Sequence, residues 1–309
     1  MNKKRFILKK LGILMILLCL CLAVLPGNVD AKAKAKTKAK TKTVKIHKFS
    51  SGNKKVDKKV RSVIKKYIKP KMSTAERVRV IHDYIILNCD YDYKNYIKGK
   101  IPKSSYSPVG VLLKKKAVCQ GYAETFQLFM DALGIPCCMV SGIAGSGDAW
   151  GDHAWNRVKI GKKWYHVDTT WDDGDNSNIY YEYFLVNDKK LQEDHKWFNI
   201  LKCKGNNSKF VTAIGKVSNT MDEAVDNFYK GYKKDKKHKV QIIVHKKLYN
   251  SIGDSSFKYE LFQNVELKYK ERITKHYWNS TTYGNYYVLT YEIVSTEKVV
   301  EDATTTPSQ

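Results

Sequence analysis

The sequence predicts an α+β protein, in which helical segments alternate with strands that pair as hairpins. Two observations carry this prediction. From Cys119 onwards, large apolar residues recur at steps of three and four as far as Leu133, and Gly134 follows as a helix stop signal. Farther along, "HAWNRVKI" and "KWYHVDTT" have the composition of two strands joined around "IGKK", which predicts a hairpin.

The first 31 residues have the layout of a secretory signal peptide. "MNKKRFILKK" is positively charged, Leu11 to Leu25 is a continuous apolar run, and small residues precede a cleavage point after Ala31. The apolar run is short for a membrane span, which needs about 20 residues, so an uncleaved signal anchor is the weaker alternative. We therefore expect a secreted or cell-surface protein with residues 1–31 removed.

The charge of the chain indicates an acidic partner. The 309 residues carry a formal net charge of +26. Because an exported protein rarely meets nucleic acid, an anionic cell-wall polymer is the better candidate. Lys32 to Lys48 alternate lysine with small residues and contain no acid, which predicts a Lys-rich flexible linker over residues 32–53. Its lysines either bind the polymer or only keep a spacer solvated.

The cysteines indicate a free thiol rather than a metal site. Export would leave Cys89, Cys119, Cys137, Cys138 and Cys203, and an odd count leaves at least one thiol unpaired. Their spacing is not that of zinc ligands, so we expect no metal and no cofactor. The adjacent pair, Cys137 and Cys138, is expected in a buried strand.

Local patterns predict the remaining elements. An apolar stripe predicts a helix over residues 54–69, and the capping box Ser73–Glu76 opens a second helix. The glycine-rich segment 145–152 is expected to be a loop. Residues 209–296 read as a small α+β region or an extension of the sheet, with a segment inside it that fits helix or strand, and residues 297–309 as a disordered tail.

The predicted hairpin brings an imidazole and a carboxylate together. Side chains alternate between the two faces of a strand, so a two-residue loop near Gly161 places His153 and Asp168 on the same face. The pair would be directly opposite with a loop at Ile160–Gly161, and diagonal with a loop at Gly161–Lys162. An odd-numbered loop would separate them.

Adding Cys119 at a helix N-terminus completes a set suited to thiol acyl transfer. A helix start favours the thiolate and offers backbone N–H groups to an oxyanion. His166 is the rival of His153 for the role of base. His82, inside the second helix, is expected to be a packed residue, and His195, in a charged segment, is expected to be solvated.

These residues also carry a family resemblance. The segments "ERVRVIHDYI", "AVCQGYAETFQLFMDALGIPCCMVSG" and "DHAWNRVKIGKKWYHVDTTWDD" resemble, in order and spacing, the core of the transglutaminase-like superfamily, whose fold is related to papain. The resemblance covers about residues 73–190 and implies that the Cys-bearing helix packs on an antiparallel sheet. We expect the catalytic domain to extend over 54–208. The resemblance also implies Cys119 as nucleophile, His153 as base and Asp168 as orienting acid. It implies nothing for residues 209–309.

The expected function is that of a secreted cysteine-dependent acyl transferase or amidase. It would attack the amide carbonyl of a protein Gln side chain or of a peptide bond through a thioester. The alternative is a non-catalytic cell-wall-binding or structural protein on the same scaffold, because members of the superfamily include transglutaminases, peptidases and inactive proteins.

Overall fold

The computed structural model describes residues 43–174, 178–198, 201–235 and 238–299, which belong to one compact unit. Within these ranges the protein is α+β, as predicted. The predicted signal peptide (1–31), the first part of the predicted linker and residues 300–309 of the predicted tail lie outside the described residues. No helix in the described ranges is long and apolar enough to cross a membrane.

Helices and strands follow one another along the described chain. The helices are α1 (Lys54–Tyr67), α2 (Thr74–Ile86), α3 (Tyr93–Ile97), α4 (Cys119–Leu133), α5 (Asp188–Leu191), α6 (Val211–Ile214), α7 (Met221–Lys234), α8 (Lys246–Ile252) and α9 (Asp254–Tyr269). The strands are β1 (Asp90–Tyr91), β2 (Lys116–Ala117), β3 (Cys137–Ser146), β4 (Ala149–Ile160), β5 (Lys163–Val167), β6 (Asp173–Gly174), β7 (Asn178–Ile179), β8 (Phe184–Val186), β9 (His195–Trp197), β10 (Val217–Ser218), β11 (Lys239–His245), β12 (Glu271–Tyr283) and β13 (Tyr286–Lys298).

The first large sheet is antiparallel and has the strand order β8-β5-β4-β3-β9. Strands β3 and β4 pair as far as Ser146 and Ala149, so that only Gly147 and Asp148 lie between them. The predicted loop over 145–152 is therefore wrong. Gly147 has a φ of 55°, the left-handed conformation that a two-residue hairpin turn uses. The small residues around it lack a strand pattern, which is why the sequence did not indicate that the strands continue.

Helix α4 packs on this sheet, as the resemblance implied. The residues that define its periodicity are buried: Tyr122, Phe126, Phe129, Met130 and Leu133. They belong to the same core as Val158, Tyr165 and Val167 on the strands. The Asn156 side chain also donates a 3.0 Å hydrogen bond from β4 to the Ala123 carbonyl of α4, which fixes the helix against the strand.

Helices α1 and α2 begin at their predicted positions. In α1, the apolar stripe is buried at Val56, Val60, Val63 and Ile64. In α2, Ser73 and Glu76 make both bonds of the predicted capping box. These bonds satisfy donors at the helix start and so fix where α2 begins.

The described part of the predicted linker, residues 43–53, lies against the folded core instead of forming a free tether. Val44, Ile46 and Phe49 pack against the main core. The His47 amide donates to the Ala132 carbonyl of α4 at 2.9 Å. The apolar residues alternate with lysines here, and burying one side of the segment outweighs the entropy of a short tether.

The C-terminal strands form a second sheet with the order β10-β11-β13-β12. One face packs against α7 and α9 in a separate core. From the other face, Ile243, Tyr283 and Val288 join the main core. The segment that fitted helix or strand is helix α9, and β13 continues through Glu297 and Lys298, two residues into the predicted tail.

Candidate active site

Cys119 is the first residue of α4 and is partly buried. The capping residue Val118 has an extended backbone and no side-chain acceptor, so its own side chain caps none of the first-turn N–H groups. The Val118 amide donates to the Ser105 carbonyl at 2.9 Å, which holds the entry to the helix. A Cβ on Gly121 would lie 2.4 Å from that carbonyl oxygen, so glycine allows this close approach.

The hairpin register puts His153 and Asp168 on one face. Ile160 pairs with Lys163, so the loop is Gly161–Lys162, the diagonal alternative of the two predicted. Gly161 has a φ of 60°, the left-handed region that such a turn uses. His153 Nε2 and Asp168 Oδ2 are 2.6 Å apart, and both residues are buried.

The Asp168 carboxylate is surrounded by donors. Its Oδ1 accepts backbone N–H groups from Thr170 at 2.9 Å and Trp171 at 3.2 Å. Its Oδ2 faces His153 and, at 3.2 Å, the Nε2 of His195. Complete burial alone would raise the pKa of this carboxyl, but the charge and hydrogen bond of His153, with His195, lower it below its usual range. Asp168 is therefore held as a carboxylate.

The imidazole of His153 is held as a cation. Burial opposes the charged ring, but the charge and hydrogen bond of Asp168 outweigh it and raise the pKa of His153 to about 10. The neighbouring Cys119 side chain interacts with this ring and contributes to the increase. Because Nε2 faces Asp168, Nδ1 is the nitrogen available to the thiol. The three predicted site residues thus lie together in the order thiol, imidazole, carboxylate.

His195 was expected to be solvated, and this is wrong. It is fully buried, because β9 pairs with β3 and alternation along the strand turns His195 inward while Lys196 stays exposed. Its ring centroid lies 5.4 Å from that of His153 and 4.5 Å from that of Trp171. The charged residues around His195 made the segment look solvent-exposed. The alternation of polar and aromatic residues over His195–Trp197 was the sequence pattern that could have indicated a strand.

His166, the rival base, is engaged elsewhere. Its Nδ1 accepts the Trp155 indole N–H at 3.0 Å, and its Nε2 lies 3.0 Å from Asp188 Oδ1. The first bond requires that the neutral ring carry its proton on Nε2, which then donates to Asp188. Burial lowers the pKa of His166 despite Asp188, and the Arg157 charge adds to this. The ring is thus neutral and both nitrogens are used.

Two clusters of described residues have the composition of metal sites. His153, Asp168 and His195 form one, and His166, Asp188 and Cys203 form the other. In the second, the tautomer of His166 puts a proton on Nε2, the nitrogen that faces Asp188. The positive charge of Arg157, which affects the pKa of both His166 and Cys203, also disfavours a metal cation there. The contacts of the first cluster are those of hydrogen-bonded imidazoles on a carboxylate. Hydrogen bonding therefore accounts for the first cluster and, in the second, for the contact between His166 and Asp188.

His82 and Asp172 form a buried pair near the site that the sequence pattern did not indicate. Asp172 is fully buried, and its Oδ2 is 3.0 Å from His82 Nε2. The other ring nitrogen is 3.0 Å from Asp83. Burial opposes the imidazolium, but these two carboxylates raise the pKa of His82 to about 9. The Asp172 amide donates to the Asp168 carbonyl, so the pair anchors the segment after β5 to α2.

The other four described cysteines are unsuited to act as nucleophiles. Burial raises the pKa of both Cys89 and Cys203 to about 12. It raises the pKa of Cys137 and Cys138 as well, at the start of β3, where both are partly buried. A protonated thiol is a poor nucleophile. Cys119 is thus distinguished by the protonated imidazole of His153, whereas the His166 imidazole near Cys203 is neutral.

Comparison with known proteins agrees with the resemblance seen in the motifs. Residues 61–169 match the family model described as the transglutaminase-like superfamily. This part of the chain is a transglutaminase-like domain. The matched range includes Cys119, His153 and Asp168.

Similar proteins are found among curated proteins and solved structures. The chain is 32% identical over 139 residues to the Kyphoscoliosis peptidase of Mus musculus, covering 40% of this chain and 21% of the relative. It is 32% identical over 136 residues to the Kyphoscoliosis peptidase of Homo sapiens, covering 39% and 20%. A crystal structure of a TGase is 23% identical in sequence and has a TM-score of 0.33. The alignment covers 39% of this chain and 32% of the TGase chain. The chain spans about a fifth of the length of these curated relatives.

Proposed function

We propose that the transglutaminase-like domain is a cysteine-dependent acyl-transfer enzyme that attacks the amide carbonyl of a protein or peptide through a thioester. The observation that carries the proposal is the position of His153, whose ring lies 2.6 Å from Asp168 and interacts with the Cys119 side chain. An imidazole held between a carboxylate and a thiol is the arrangement that activates a thiol as a nucleophile.

The first half of the reaction breaks the amide bond. The Cys119 thiolate donates an electron pair to the carbonyl carbon and forms a tetrahedral oxyanion. The backbone N–H groups at the start of α4, which the Val118 side chain does not cap, would stabilise this charge. When the intermediate collapses, the C–N bond breaks and His153 gives its proton to the leaving amine. The product is a thioester on Cys119.

The second half returns the free thiol. His153, now neutral, takes a proton from the acceptor as it attacks the thioester carbonyl, and the thiolate leaves. Water as acceptor gives hydrolysis, whereas an amine gives cross-linking. We favour hydrolysis, because both curated relatives are named as peptidases.

We further propose that the enzyme is exported and retained at the cell surface. The support is in the sequence: the signal-peptide layout of residues 1–31 and the lysines of residues 32–42, which suit an anionic wall polymer.

The test is a comparison of products from one Gln-containing unfolded protein substrate. The chain from residue 32 onwards is incubated with this substrate and a labelled primary amine, and new N-termini, incorporated amine and released ammonia are measured. We expect new N-termini that disappear in Cys119→Ala, while His245→Ala, in the C-terminal region, retains them. Incorporated amine and ammonia without new N-termini would support cross-linking instead. If the intact chain yields none of these and forms no thioester, the non-catalytic wall-binding or structural alternative replaces the proposal.

A further inference from the structure

We propose that His195 is a positioning residue, which holds the Asp168 carboxylate in the orientation that presents Oδ2 to His153. This inference rests on the proposed function and adds a fourth side chain to the set formed by Cys119, His153 and Asp168. His195 does not touch the reacting atoms, since it reaches the thiol only through Asp168 and His153.

The two imidazoles meet at one oxygen atom. His153 Nε2 lies 2.6 Å and His195 Nε2 lies 3.2 Å from Asp168 Oδ2, and the planes of the two rings are inclined at 59°. The other oxygen is held by the two backbone N–H groups of Thr170 and Trp171. The carboxylate therefore cannot turn about its own axis without breaking contacts on both oxygens.

His195 is itself held on every side. Its Nδ1 lies 2.6 Å from Asp194 Oδ1, so donation to both Asp194 and Asp168 requires a hydrogen on each ring nitrogen. The other oxygen of Asp194 accepts the Tyr183 hydroxyl at 2.5 Å. The ring is enclosed by aromatic side chains at centroid distances of 4.5 Å for Trp171, 5.0 Å for Trp155 and 5.4 Å for Tyr183. A ring fixed in this way can transmit its orientation to the carboxylate.

The chemistry explains why a second donor is useful. Burying a carboxylate costs free energy unless its oxygens accept hydrogen bonds, and Asp168 is fully buried. With the bond from His195 removed, Oδ2 keeps one donor, and the carboxylate can tilt away from His153 about its other oxygen. The imidazolium would then lose part of its stabilisation, and the thiolate beside it would be less populated.

The experiment separates the hydrogen bond from the packing. His195→Gln keeps an amide N–H close to the position of Nε2, whereas His195→Leu keeps volume and loses the donor. For each variant, the rate of iodoacetamide alkylation at Cys119 is measured at pH 6.5 by mass spectrometry, and kcat and KM are measured on the substrate of the proposed function. Thermal unfolding is recorded in parallel.

We expect His195→Leu to slow alkylation of Cys119 and to lower kcat by about 10- to 100-fold, which is the size of one hydrogen bond to a charged group, with KM little changed. His195→Gln should stay within about threefold of the intact protein. Equal rates in all three proteins would overturn the proposal. Equal losses in both variants would also overturn it, because they would indicate that packing alone matters.

The proposed function and this inference fail in different ways. If Cys119 of the intact chain alkylates no faster than the other thiols, the proposed function fails. If Cys119 is fast in the intact chain and remains fast in His195→Leu, only the role of His195 fails.

Discussion

The region around the first sheet and the C-terminal region differ in what they bury. Among the described residues up to 208, the buried Asp, His and Arg side chains are His82, Asp83, Asp92, His153, Arg157, His166, Asp168, Asp172 and His195. Among those after 208, Glu271 is the only buried charged side chain, and it is bonded to Tyr232, Lys233 and Thr296. The C-terminal core is otherwise aliphatic and aromatic.

This difference indicates where the chemistry is. Burying a charge costs free energy unless it is paired, so a region that buries many charges gives up stability that an apolar core would retain. Shifted pKa values and buried pairs concentrate at functional sites, although structural networks also produce them. The C-terminal sheet, in contrast, has the composition of a stabilising scaffold.

The largest expected difference between the two regions is in how far a histidine substitution lowers turnover. His153→Ala should lower turnover nearly as far as Cys119→Ala, because the thiol loses both its ion-pair partner and its proton donor. His245→Ala, at the N-terminus of α8, removes a cap to the Lys247 amide and should cost about 1 kcal/mol of stability without a change in turnover. Steady-state rates and urea unfolding check both. Equal losses of turnover would remove the functional distinction between the regions.

A stability comparison follows for buried groups of the two regions. His82→Leu leaves Asp172 buried without its cationic partner and should destabilise the fold by about 3–5 kcal/mol. Leu261→Ala, in the C-terminal core, should cost about 2–5 kcal/mol through loss of apolar contacts and a cavity.

The two variants of that comparison should differ in the site. His82→Leu releases the segment that carries Asp168, so alkylation of Cys119 should slow in the protein that remains folded. Leu261→Ala should alkylate at the normal rate. Normal alkylation in folded His82→Leu would show that the pair does not support the site.

The pH dependence of stability should also reflect the first region. Folding raises the pKa of His82 to about 9 and that of His153 to about 10, from about 6.5 in an unfolded chain. A raised pKa means that the folded state binds the proton more tightly. This stabilisation is therefore complete below about pH 6.5 and is lost as the pH rises through 9 and 10. Urea unfolding at pH 6.5, 8 and 10 should show a falling free energy, with a smaller fall in His153→Ala; an equal fall would contradict this origin.

The smallest effect on turnover is expected from shortening the lysine-rich segment. Deleting residues 32–42 leaves Val44 and Ile46 in place against the core and should not change turnover of a soluble substrate. Retention on anionic wall material should fall, and salt should weaken it in the intact chain. Retention that is unchanged and insensitive to salt would mean that these lysines are only a spacer.

The sequence predicted local features better than contacts between distant segments. The helix at Cys119, the capping box at Ser73 and the hairpin at Gly161 each depend on residues close in the chain, and all are present. The hairpin register, in turn, brought His153 and Asp168 together.

What the sequence did not predict depends on tertiary pairing. The contact between His82 and Asp172 joins residues 90 positions apart, and the burial of His195 depends on β9 pairing with β3. The packing of Val44 and Ile46 likewise depends on the surface of the folded core. The lysines that alternate with them suggested a solvated segment instead. No local pattern specifies such contacts.

The most direct test of the account is a labelling map of the five cysteines that remain after residue 31. The folded chain is exposed briefly to iodoacetamide between pH 5 and 9, and the modified residues are identified by mass spectrometry. We expect Cys119 to be modified well below pH 8.5, the usual pKa of a thiol, while Cys89, Cys137, Cys138 and Cys203 remain largely unmodified. Modification of all five at equal rates, or of Cys138 before Cys119, would contradict the claim that this thiol is the activated nucleophile.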